Sequence, residues 1–183
     1  MLNQFKLKIA SFILKNEFLK NDESQELITL SSSKKIGLLF EADHSQSIQC
    51  VKQLLKYFSK FHFSIDALGF VNSRKEDSVH ISTIHMNYFN LTDLNLFGIP
   101  NSQKIKQFCE NEYDILINLS LNNNFQLKYL AFTSNAKYKV GIFDSDKVFN
   151  YDLMFKLKVK TLDYFIEHLI YYLELIDKNN EKQ

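Results

Sequence analysis

Three places in the chain bring together residue types that could do chemistry, each where an apolar run gives way to polar side chains. Asp43, His44 and Ser45 follow KKIGLLFE, which closes on Glu41. Ser120, Asn122, Asn123 and Asn124 follow YDILINLS. Asp144, Ser145 and Asp146 follow KVGIF. If these runs are parallel strands, the three junctions share the carboxyl edge of one sheet, where open α/β sheets bind their ligands. Carboxylates, amides and a hydroxyl suit a polar ligand such as a nucleotide or a sugar, and a histidine beside an acid can move a proton. The same residues have a plainer use. Asp43 or Ser45 can cap the helix that follows, and Asn122 to Asn124 are turn formers.

The spacing names no reaction. ADHSQS lacks the glycines that let a backbone approach phosphate, and neither GxGxxG nor GxxxxGK[ST] occurs. Gly37 lies inside a strand and cannot substitute. Asp43 and His44 are adjacent and rarely would face each other, and no nucleophile stands out. His80 and His85 fall in or at the end of an expected strand, where an odd separation puts them on opposite faces. No catalytic residue, metal or cofactor is expected. The remaining candidate is an interaction element near the start. Phe5, Ile9 and Phe12 form an apolar stripe with Leu2 and Ile13, flanked by Lys6, Lys8 and Lys15. Such a helix can dock a protein partner or an anionic membrane, and it can equally pack on its own domain.

These residues need a frame to hold them. Residues 2–19 read as the amphipathic helix and 21–33 as a polar connection. KKIGLLFE and YDILINLS are apolar on both faces, as buried parallel strands are, and are expected as central neighbours. A helix to about Lys60 buries Ile48, Val51, Leu54, Leu55 and Phe58. FSIDALGFV is the second strand and VHISTIHM the third, and the short link between them suggests an antiparallel hairpin. Ser102 can cap a short helix to about Glu110, and another runs from about Phe125 to Ser134. KVGIFD is a strand, YDLMFKLKV an edge strand, and a last helix reaches about Ile176. The expected fold is α/β: a Rossmann-like, doubly wound, mostly parallel sheet with an added hairpin or edge strand and an appended N-terminal helix. The divisions are 1–33, a single domain over 34–178, and a frayed tail over 179–183.

Composition sets limits on function. The 183 residues are 45% hydrophobic and 23% charged, which suits one globular domain. Net charge is +1 and Arg74 is the only arginine, which makes a sequence-specific nucleic-acid target an unattractive expectation. Cys50 and Cys109 form no CxxC and are read as reduced thiols acting as small hydrophobes. Lysines interrupt the N-terminal apolar stretch, so no signal peptide or membrane span is expected, and the cytoplasm is the expected compartment.

Tyr113–Ser120, Ser134–Gly141 and Tyr151–Met154 carry a resemblance. Through a "YDxLIxLS" strand, an "S-x-A-K-x-K-V-G" turn and a "YDLM" segment, nearly the whole chain resembles a functionally uncharacterised domain family of Bacteroidota. The resemblance implies a fold and no reaction. A partial likeness links the same strand and turn to the N-terminal half of heptosyltransferase-type enzymes. Those enzymes use two Rossmann halves and hold the nucleotide-sugar largely on the other one, and Asn118 here stands where they commonly have an acid. This likeness is an analogy of fold. The expected function is therefore a non-catalytic cytoplasmic binding or adaptor protein that uses its first helix. The alternative is a small ligand-binding protein or enzyme that uses the strand-end crevice.

Overall fold

The computed structural model describes residues 32–61, 63–75, 78–122, 124–143 and 151–180. The helix expected over 2–19, with Phe5, Lys6, Lys8, Ile9, Phe12 and Lys15, lies outside the described residues, as do Asn123, Asp144, Ser145 and Asp146.

Among the described residues six strands form one sheet in the order 3-2-1-4-5-6: β1 (Lys35–Glu41), β2 (Ser64–Val71), β3 (Met86–Asn90), β4 (Ile115–Asn118), β5 (Tyr138–Ile142) and β6 (Leu153–Phe155). Every pairing is parallel. This is the strand order of the doubly wound Rossmann sheet, and its direction of winding reverses between β1 and β4. The two strands most apolar on both faces are these central neighbours, with Ile36 opposite Ile115 and Leu38 opposite Ile117. Both faces must be covered for such runs to be stable, and they are. Helices α1 (Ser45–Phe58) and α4 (Leu162–Asn180) bury Leu54, Phe165 and Leu169 against one face. Helices α2 (Gln103–Glu110) and α3 (Phe125–Thr133) bury Ile105, Leu127 and Leu130 against the other.

The expected hairpin does not form. β3 begins at Met86, after VHISTI rather than within it, and runs parallel to β2. The connection over 72–85 is long enough for a crossover, and its described residues hold no helix. His80 and His85 therefore precede the strand. Their rings reach back to carbonyls, His80 Nε2 to Ala42 O at 2.8 Å and His85 Nδ1 to Ile65 O at 3.2 Å. The last strand does lie at an edge, but it is only three residues long.

The amino end of the sheet is fastened by Asp114. Its Oδ2 accepts the backbone N–H of Lys34 at 2.8 Å and of Lys35 at 3.0 Å, and its Oδ1 meets Lys137 Nζ at 2.8 Å. One carboxylate thus ties the starts of β1, β4 and β5 together.

Candidate functional site

The switch between β1 and β4 places the residues after these strands side by side. Glu41 ends β1, and its two carboxylate oxygens accept from Asn122 Nδ2 at 3.1 Å and Asn124 Nδ2 at 3.4 Å. Asn124 also caps α3 by accepting from Leu127 N–H at 3.1 Å. Ser120 Oγ donates to the Asn122 carbonyl at 2.8 Å, which folds the loop back on itself. Asn118, buried at the end of β4, accepts from Ser120 N–H and donates through Nδ2 to Tyr151 Oη at 2.8 Å. The asparagines and the serine are thus turn and cap residues, and they also set the shape of what lies beyond.

Beyond them is a cavity of about 300 Å³ at the carboxyl ends of β4, β5 and β6. Asn118, Ser120 and Asn122 supply one wall, and Ile142, Phe143, Tyr151 and Leu157 supply an apolar and aromatic one. Lys128, Lys156 and Lys160 also line it, and no acidic side chain does among the described residues. Lys156 and Lys160 are exposed at the mouth, and Lys156 Nζ stands 5.9 Å from the centre of the Phe143 ring. Lys128 is 7% exposed and lies on the first full turn of α3. Tyr151 packs over β5 where Gly141 has no side chain. A Cβ at Gly141 would stand 2.5–2.7 Å from ring carbons of Tyr151.

The other sequence candidates go elsewhere. Asp43, His44 and Ser45 are exposed and do not line the cavity. Asp43 is not the cap of α1. That position falls to His44, which makes no side-chain cap bond, while Asp43 Oδ1 accepts Asn72 N–H at 2.7 Å and holds the end of β2. Ser45 opens the helix. Of the expected crevice residues, the structure brings together Ser120 and Asn122. Asn123 and Asp144 lie outside the described residues. The lysines and Tyr151 are not among the candidates that the sequence offers for the crevice. Lys128 left a signal, as the one charged residue within FQLKYLAF. Lys156 and Lys160 left none, because only the sheet order turns their strand end toward α3.

A second hollow of about 230 Å³ lies at the ends of β2 and β3, beside Lys75, His80, Asn90 and Lys104. Lys104 there is already paired with Asp93 at 2.9 Å. Among the described residues no group of histidine, cysteine and carboxylate side chains could hold a metal. Cys50 and Cys109 are not bonded to each other. Burial pushes both thiols up to about 11, and at Cys50 a hydrogen bond to Asp163 adds to the effect. Both therefore stay protonated near neutral pH and are poor nucleophiles.

No helix among the described residues is long and apolar enough to cross a membrane. No curated protein and no solved structure matches the chain. One family model does, over residues 6–176, and among the described residues it takes in the sheet, helices α1 to α3 and most of α4. The chain belongs to that family, a family of unknown function (DUF6913).

Proposed function

We propose that this domain binds a small phosphorylated metabolite, a sugar phosphate or a nucleotide, in the cavity at the ends of β4, β5 and β6. The observation that carries this reading is the lining among the described residues: Lys156 and Lys160 exposed at the mouth and no acidic side chain, facing an apolar wall of Phe143, Tyr151, Ile142 and Leu157. Lysines attract phosphate as point charges, and the apolar wall accommodates a sugar ring or a base. The volume is at the lower end of the usual range for ligand sites, about 300–1,000 Å³. The reading is one of binding without a reaction. From the resemblance and the composition we infer a bacterial source among the Bacteroidota and a cytoplasmic setting. The adaptor role suggested by the first helix falls on residues outside those described, so the ligand reading is preferred.

The test is a thermal-shift titration against a panel of nucleotides and sugar phosphates. A ligand present at about 100 times its Kd should stabilise the fold by about 2.7 kcal/mol. Lys156→Glu with Lys160→Glu should abolish the shift without lowering the unliganded melting temperature. A panel that gives no shift, or a shift that survives the double substitution, would remove the cavity as the site.

A further inference from the structure

Helix α4 carries two apolar faces where a surface helix needs one. Phe165, Leu169 and Leu173 are buried against the sheet. Tyr164, His168, Tyr171 and Leu175 follow one another at spacings of four, three and four, which places them in a single row on the far side of the helix. Tyr164 and His168 are packed ring to ring at 3.9 Å. Tyr171 is 60% and Leu175 38% exposed. An outward row of this kind would ordinarily be charged, and its aromatic character is the mark of a covered face.

The charges beside the row have one sign. Asp163, Glu167 and Glu174 are the only charged residues of α4 before Asp177, and all are acidic. Glu174 also accepts from Tyr57 Oη at the end of α1, so this half of α4 lies beside the end of α1. The chain passes from α1 through the turn at Ser59–Phe61 to Ser64, whose N–H donates to the Lys34 carbonyl. The start of the described chain at Ser32–Lys34 and the second half of α4 therefore share the amino end of the sheet.

The chain before Ser32 matches this face in length, pattern and charge. Residues 2–19, read as a helix, would be about 27 Å long, against about 28 Å for α4. Their stripe of Phe5, Ile9 and Phe12 is flanked by Lys6, Lys8 and Lys15, opposite in sign to the flank of the α4 row. The link over 20–31 can span up to about 40 Å, ample for the helix to fold back. The family match begins at residue 6, so the model that spans the sheet also takes in most of this segment. We propose that residues 2–19 dock along the Tyr164–Leu175 row of α4, with the lysines set against Asp163, Glu167 and Glu174. The segment then serves as a fifth helix of the domain and covers α4. This proposal does not depend on the ligand cavity.

Hydrogen exchange on the full chain tests it. Amides of residues 2–19 should exchange at least about tenfold more slowly than a free chain, at every protein concentration and without lipid or partner. Tyr171→Lys with Leu175→Lys should return them to free-chain rates while the amides of β1 and β4 stay protected. Phe5→Asp with Phe12→Asp should do the same from the other side, a check that leaves the described domain untouched. Free-chain exchange in the unmodified protein would overturn the proposal, as would protection that survives both pairs of substitutions. Protection that appears only with dimerisation in sedimentation, with anionic phosphatidylserine vesicles or with an added protein would overturn it too, by assigning the stripe to a second copy, a membrane or a partner.

Discussion

Tyr151 holds its place over β5 because Gly141 beneath it has no side chain. The ring walls the cavity, and its hydroxyl takes the amide of buried Asn118 at 2.8 Å. Gly141→Ala should force the ring away, costing about 1–3 kcal/mol through overpacking. The same substitution should also weaken any ligand shift that the parent protein shows, and a variant that binds as well as the parent would refute Tyr151 as a wall of the site. Asp43 offers the contrast. Its carboxylate is exposed and holds Asn72 N–H, outside the cavity. Asp43→Ala should cost about 1 kcal/mol, a single hydrogen bond, and leave the ligand shift intact; loss of binding at full stability would bring the β1 loop into the site. Residue types in the sequence pointed to the carboxyl edge of the sheet, where the cavity lies. They did not separate a carboxylate that ties down a strand from a lysine that lines a cavity. That difference depends on partners such as Asn72 and Phe143, distant in sequence from Asp43 and adjacent to nothing local from Lys156.

At the scale of elements, continuous apolar runs made β1 and β4 legible, because only a strand covered on both faces tolerates KIGLLF or ILIN. The third strand was not legible for a related reason. VHISTIH has the alternation of a strand, yet its two histidines are used on carbonyls of Ala42 and Ile65, and the sheet takes up the next five residues instead. What fastens the central strands was also hidden, since Asp114 carries no motif. Burial opposes its charge, but hydrogen bonds from Lys137 and from the backbone of Lys34 and Lys35 outweigh this and hold its carboxyl below the ordinary value of 3.8. A group whose pKa is lowered by folding stabilises the fold above its unfolded pKa and loses that contribution as pH falls through the folded one. Asp114→Asn should therefore lower stability at neutral pH by about 1.5–3 kcal/mol, the range for hydrogen bonds to a charged group. The gap between variant and parent should close as the pH is taken below 3.8. Melting curves from pH 7 down to about pH 2 would show it, a span that brackets the titration of a carboxylate. A gap that stays constant would mean that the ionised carboxylate is not what fastens the strands.

The whole molecule is two cores divided by one sheet. Leu169 of α4 is fully buried in the core on one face, and Leu130 of α3 is fully buried in the core on the other. The central strands contribute to both, with Ile36 and Leu38 turned toward α1 and α4 and Leu39 and Leu116 toward α2 and α3. Neither layer of helices can leave without uncovering strands that are apolar on both sides, so both should unfold together. Leu130→Ala and Leu169→Ala should each cost about 2–5 kcal/mol, the range for a buried leucine whose site collapses incompletely. Because the sheet stands between them and they share no partner, the double variant should lose the sum of the two to within about 0.5 kcal/mol. Urea unfolding followed in parallel by far-ultraviolet circular dichroism and by tyrosine fluorescence would give one transition for all four proteins. Separate transitions, or a double variant no less stable than the weaker single one, would mean that one layer of helices opens by itself and that the cavity at the end of β4–β6 belongs to a unit looser than the rest of the sheet.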